Sequence, residues 1–167
     1  VLDQRGYHVV ARPHRAMNRH IQRVGRVLRK GDAARVRLAQ HIGQRLGFYG
    51  PLQPVRGALW LHAVSLGEMR TAALLIRQWR LQNPDTPLLL TCSTATGRAE
   101  GENLLDAHTQ LIWLPWDMPG AVKRFLRAFK PSMGLLMETE VWPNISHYCA
   151  QRNIPLILIN ARLSDKS

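Results

Sequence analysis

Two carboxylates stand where an apolar run gives way to polar residues, and both positions suit acid–base work. The first is Glu68, in Leu59-Trp60-Leu61-His62-Ala63-Val64-Ser65-Leu66-Gly67-Glu68. The apolar run stops at Ser-x-Gly-Glu and a helical pattern follows at once. A hydroxyl, a side-chain-free backbone and a carboxylate are left at the junction. The second is Glu138, directly after Gly134-Leu-Leu-Met137. A carboxylate beside so apolar a run needs a partner or a function, because burying an unpaired charge is costly. Within reach of a hydroxyl, a carboxylate can take its proton, which typically contributes ~10²–10⁴-fold to a rate.

Each candidate also has a structural reading. Ser65-x-x-Glu68 fits a capping box, with Ser65 as N-cap and Glu68 at the third helical position. Spacing alone leaves capping and catalysis both open. Asp117, just ahead of Pro119, reads as an N-cap. Ser93-Thr94-Ala95-Thr96-Gly97 could cap its helix or bind an anion on free backbone N–H groups. It lacks the lysine of a Walker loop and is not GxGxxG. His62, inside an apolar strand, reads as a hydrogen-bonded core residue. No HxxxH, HExxH or paired-Asp motif suggests a metal, and no GxSxG supports a serine nucleophile. No cofactor is expected.

The elements that must position these residues alternate. Strands are expected over 58–64, 87–92, 111–114, 134–137 and 155–159. Helices are expected over 68–81, 97–107, 119–129 and 143–152. Over 119–129, Val122, Phe125, Leu126 and Phe129 recur at i, i+3, i+4, i+7. Short, apolar strands separated by helices imply an α/β fold, a Rossmann-like parallel sheet with helices on both faces. All five expected carboxyl ends carry polar residues: Ser65 to Glu68, Thr91 with Ser93 to Gly97, Trp116-Asp117, Glu138-Thr-Glu140 and Asn160-Ala-Arg162. The opposite ends are proline-rich turns at Pro84, Pro87, Pro131 and Pro155. In such a sheet ligands bind along the carboxyl edge.

Charge divides the chain. Of the net +12, residues 1–50 hold +9, with eleven Lys and Arg against Asp3 and Asp32. This stretch reads as a basic arm, helical or disordered, and residues 51–167 as the domain. A basic arm points to an anionic surface. Ile21, Val24 and Leu28 recur at helical spacing among arginines, as in a helix that lies on an anionic membrane. No aromatics are interleaved between Tyr7 and Phe48, which disfavours single-stranded nucleic acid as a specific partner. No apolar run approaches the ~18 residues of a membrane span, and none resembles a signal peptide. Cys92 and Cys149 have no CxxC or Cys/His spacing and read as reduced thiols.

Five motifs then occur in series: His62-Ala-Val-Ser-Leu-Gly-Glu68, Thr94-Ala-Thr-Gly97, Leu114-Pro-Trp-Asp117, Glu138-Thr-Glu-Val-Trp-Pro-Asn144 and Asn160-Ala-Arg-Leu-Ser164. Together they closely resemble the amino-terminal half of the 3-deoxy-D-manno-octulosonic acid (Kdo) transferases of lipopolysaccharide synthesis. The likeness runs from about Arg37 and includes Arg45-Leu-Gly-Phe-Tyr-Gly50. It implies the amino-terminal, acceptor-binding domain of a two-domain B-type glycosyltransferase. That enzyme would move Kdo from a CMP-Kdo donor to a lipid A precursor acceptor, peripherally at the cytoplasmic face of the bacterial inner membrane. By motif match Glu68 corresponds to the proton acceptor, and Glu138 to a carboxylate that stabilises the transition state. Ser65, Gly67, Thr96 and Gly97 are expected on the acceptor side. The donor domain is expected to be absent from these residues, so the chain alone should be inactive. The family usually opens with an apolar anchor, whereas residues 1–36 here are basic. Two rival readings are a basic module binding anionic lipid or nucleic acid, and another B-type sugar enzyme such as a nucleotide-sugar epimerase. The five motifs favour the transferase over both.

Overall fold

A computed structural model describes residues 41–50, 52–138 and 142–160. The basic arm over residues 1–40 and the motif residues Thr139, Glu140, Val141 and 161–164 lie outside the described residues. Five strands form one all-parallel sheet: β1 (Leu59–His62), β2 (Leu88–Cys92), β3 (Thr109–Trp113), β4 (Met133–Met137) and β5 (Leu156–Ile159). Between them run α1 (Leu66–Arg80), α2 (Ala95–Glu102), α3 (Pro119–Phe129) and α4 (Pro143–Ala150). The strand order is β3-β2-β1-β4-β5. The chain therefore winds outward from β1 to β3, then returns to lay β4 on the other side of β1. That reversal opens a crevice at the carboxyl ends of β1 and β4, the position where open α/β sheets bind ligands. This is the Rossmann-like α/β fold expected from the sequence.

Alternate residues of each strand feed two cores, because strand side chains alternate between faces. Trp60, Leu89 and Leu136 pack with Val122, Phe125, Leu126 and Phe129 of α3 and with Ile145 and Cys149 of α4. Leu61, Leu88, Leu90 and Met137 pack with Met69, Ala72 and Ile76 of α1. The four α3 positions picked out by helical spacing are all buried. One core contact is backbone-close. A Cβ on Gly134 would lie 2.5 Å from Leu156 Cδ2 and 2.8 Å from Trp60 Cε3, so β4 meets Trp60 only through a residue without a side chain.

Two local expectations change. The helix expected over 97–107 starts at Ala95 and ends at Glu102. Beyond it Leu104 N and Leu105 N turn back onto Gly101 O and Glu102 O, and the Asp106 carboxylate accepts His108 N at 2.9 Å. An Asp side chain that bonds its own backbone two residues on favours a turn over helix. Residues 41–50, read as the end of the arm, pack against the domain. Arg45 is buried, its guanidinium donates to Leu114 O and Ser93 O, and its carbonyl accepts Trp116 N. Gln44 Oε1 accepts Trp113 N at 2.9 Å, and Arg124 donates to Leu46 O. Among the described residues no helix is long and apolar enough to cross a membrane.

Candidate active site

The β1–α1 junction is built around Glu68. Ser65 is the N-cap of α1, in extended backbone, and its Oγ accepts Glu68 N at 3.3 Å. The Ser65 hydroxyl in turn donates to Glu68 Oε1 at 2.8 Å. Glu68 Oε2 accepts the backbone N–H of Val64 at 2.8 Å. In the usual capping box the third-position carboxylate reaches the N–H of the N-cap residue itself. Here it reaches one residue further back, to the last residue before the cap. Both carboxylate oxygens are thus held, and Glu68 is only 7% exposed. Ser65 is half-buried and Gly67 exposed. The N–H groups of Leu66 and Gly67, in the first turn, have no intrahelical acceptor and point out of the helix end.

The β2–α2 junction locks onto this one. Thr94, the N-cap of α2, donates its hydroxyl to Val64 O at 2.8 Å and accepts Gly97 N at 3.1 Å. Gly97 is buried, and a Cβ there would lie 3.0 Å from Val64 O and 3.2 Å from Ser65 C. Its place in the motif is explained by close approach of α2 to the β1–α1 turn, while Thr96 beside it is exposed. Thr94 therefore resolves the open reading of this loop towards capping, and leaves Thr96 at the rim.

Glu138 follows β4 on the other side of the crevice. The register pairs His62 with Leu136, so the carboxyl ends of β1 and β4 are level. Glu138 N donates to Ile159 O at 2.9 Å. Its φ is +59°, a left-handed conformation uncommon for a residue with a long side chain. Strained backbone of this kind gathers at functional sites. The Glu138 carboxylate is half-buried and makes no hydrogen bond or ion pair among the described residues.

Beneath the crevice lies His62. It is fully buried, and its Nδ1 sits 2.9 Å from Thr91 Oγ1, which also accepts Trp60 Nε1 at 2.8 Å. Burial pushes the imidazole down to a pKa of about 4, so the ring is neutral at physiological pH. Its edge meets Trp142, the N-cap residue of α4. His62 is a core residue, as its strand position suggested. Cys92 and Cys149 are free and buried, and burial raises both thiols to about 11.

Asp117 caps a helix, but not the one that follows it. The N-cap of α3 is Met118, with no side-chain bond. The Asp117 carboxylate instead accepts Asn144 N at 3.0 Å and Ile145 N at 2.9 Å, closing the start of α4. Asn144 Nδ2 returns a bond to Asp117 O at 2.7 Å. This explains Asp117 and Asn144 as a structural pair. Sequence reasoning named Arg45 and Thr91 but not their contacts, which tie the carboxyl ends of β1, β2 and β3 together.

The chain matches the family described as 3-deoxy-D-manno-octulosonic-acid transferase (kdotransferase) over residues 40–167. It is 47% identical over 119 residues to a 3-deoxy-D-manno-octulosonic acid transferase of Bordetella pertussis, covering 68% of this chain and 27% of that protein. It is 36% identical over 132 residues to the transferase of Haemophilus influenzae, covering 78% and 31%. A probable mitochondrial transferase of Arabidopsis thaliana is 36% identical over 124 residues, covering 74% and 28%. The chain thus spans about 30% of the length of the relatives it matches. A match over most of its length, on the fold and rim just described, means that the chain belongs to the 3-deoxy-D-manno-octulosonic acid transferase family.

Proposed function

We propose that this chain supplies the acceptor side of an inverting glycosyltransferase that moves Kdo from CMP-Kdo to a lipid A precursor, lipid IVA. The observation that carries the reading is Glu68: a nearly buried carboxylate, held in one orientation at the rim of the β1/β4 crevice. The acceptor is a sugar hydroxyl, a poor nucleophile until its proton is leaving. Glu68 takes that proton as the oxygen attacks the anomeric carbon of Kdo and CMP departs. Glu138, across the crevice, stabilises the charge that develops in the transition state. Ser65, Gly67 and Thr96 contact the acceptor, and Gly97 lets α2 pack close enough to hold Thr96 beside them.

Donor binding belongs to a second domain, outside this chain. Bringing the two substrates into near-attack geometry can account for ~7–11 kcal/mol of a barrier, so residues 1–167 alone bind the acceptor without product. The basic arm holds the enzyme at an anionic membrane surface, the cytoplasmic face of the inner membrane. Calorimetry on residues 1–167 tests the division of labour. Lipid IVA should bind weakly and CMP not at all; clear micromolar binding of CMP would overturn it.

A further inference from the structure

The carboxylate assigned as proton acceptor is poorly placed to receive a proton directly. Glu68 is 7% exposed, and each of its oxygens already accepts a bond. Oε1 accepts the Ser65 hydroxyl at 2.8 Å. Ser65 itself is half-buried, and so more accessible than the carboxylate it bonds. A hydroxyl has one proton and two lone pairs. The Ser65 proton lies on Glu68 Oε1, and one lone pair accepts Glu68 N at 3.3 Å. One lone pair is left to accept a third bond, on the same oxygen.

We infer that Ser65 is a catalytic residue that relays the proton from the acceptor hydroxyl to Glu68. The acceptor hydroxyl docks by donating to the open lone pair of Ser65 Oγ. In the reaction its O–H bond breaks and the proton passes to Ser65 Oγ, while the original Ser65 proton passes to Glu68 Oε1. The freed acceptor oxygen bonds to the anomeric carbon, and CMP leaves with the electron pair of the broken C–O bond. Ser65 ends as it began, and Glu68 holds one proton to return to water. The Ser65–Glu68 hydrogen bond exists before substrate arrives, so the second transfer needs no rearrangement. The N-cap geometry that fixes Ser65 also fixes the direction of its free lone pair.

The inference rests on Glu68 being the proton acceptor, and the experiment separates the two claims. Ser65→Ala, Ser65→Gly, Ser65→Thr and Glu68→Gln are compared in a full-length transferase carrying this domain, with CMP-Kdo and lipid IVA. Glycine remains an acceptable N-cap, and threonine keeps the hydroxyl. Ser65→Ala and Ser65→Gly should lower kcat by ~10²–10⁴-fold, with a smaller change in acceptor KM, and Ser65→Thr should restore most of it. The double variant Ser65→Ala/Glu68→Gln should be no slower than Glu68→Gln alone, since residues acting as a unit are non-additive. A proton inventory of kcat, measured where chemistry is rate-limiting, should curve as two protons move together. If Ser65→Ala keeps its kcat while Glu68→Gln loses it, the relay is overturned and the role of Glu68 stands. If Glu68→Gln keeps its kcat, both fall.

Discussion

Replacing Glu68 by glutamine separates the capping role of the side chain from its chemical one. The amide has the shape of the carboxylate, so Gln Oε1 can accept Val64 N–H in place of Glu68 Oε2. Gln Nε2 then faces Ser65 Oγ and must donate to it, and the hydroxyl turns its proton away. The Val64 N–H thus keeps an acceptor. What is lost is charge assistance at two bonds, ~1 kcal/mol each. The attraction of a negative charge to the helix N-terminus, ~0.3–1 kcal/mol, is lost as well. The total is about 2–3 kcal/mol, which should lower Tm by roughly 5–15 °C. A domain stable by ~5 kcal/mol, at the low end of the usual range, would still be about 95% folded at 25 °C. Unfolding can therefore remove only a few per cent of activity, whereas loss of the proton acceptor should remove ~10²–10⁴-fold. Urea melts of residues 1–167 give the first quantity, and CMP release by the full-length enzyme gives the second. A turnover that falls only in proportion to the folded fraction would refute the catalytic assignment and leave Glu68 a cap.

Gly67 should behave in the opposite sense: a Cβ there meets nothing nearer than Ser65 Oγ at 3.9 Å, so Gly67→Ala should raise helix stability by up to ~1 kcal/mol. If the acceptor approaches this backbone, the same variant raises acceptor KM, and an unchanged KM means that it does not. Glu138→Gly should cost little stability, because glycine adopts the +59° φ without strain, yet it should lower kcat more than it raises KM. Unchanged kinetics would make Glu138 a structural residue. His62 sets a pH dependence. Its folded pKa of about 4 lies below the ordinary 6.5, so the unfolded chain binds the extra proton first. The stability from a neutral His62 is complete above pH 6.5 and is lost as pH falls towards 4, by up to ~3 kcal/mol. Chemical melts between pH 7 and 4 should show this slope, and His62→Gln should flatten it.

What was legible in the sequence is what is local. The i, i+3, i+4, i+7 pattern of α3 and the apolar runs of the strands each report on one element, and each element is where its pattern put it. The Ser65-x-x-Glu68 box was legible for the same reason, since cap and carboxylate are three residues apart. Strand order was not, because no residue of β1 says that β4 rather than β3 will lie beside it. That order is what brings the ends carrying Glu68 and Glu138 to one crevice. Long-range caps were equally hidden. Asp117 and Asn144 are 27 residues apart, so Asp117 looked like the cap of the nearest helix. Arg45 bonds to backbone carbonyls, which every residue has and none advertises. The positive φ of Glu138 has no signature either, because glycine and asparagine are the residues that announce it.

Capping and catalysis at Glu68 looked like alternatives on spacing, but the geometry makes them compatible. A carboxylate left free at the rim would be solvated and would sample many rotamers, and each reaction would pay to orient it again. The bonds from Val64 N and Ser65 Oγ remove that freedom before substrate binds. They also leave lone pairs unused, since two carboxylate oxygens can accept about four bonds. The cost is access, as the carboxylate is 7% exposed. A half-buried hydroxyl that already donates to it offers a way round that cost. The same hydrogen bonds that start α1 thus hold the carboxylate in place, and in the proposed relay Ser65 is the group through which substrate reaches it.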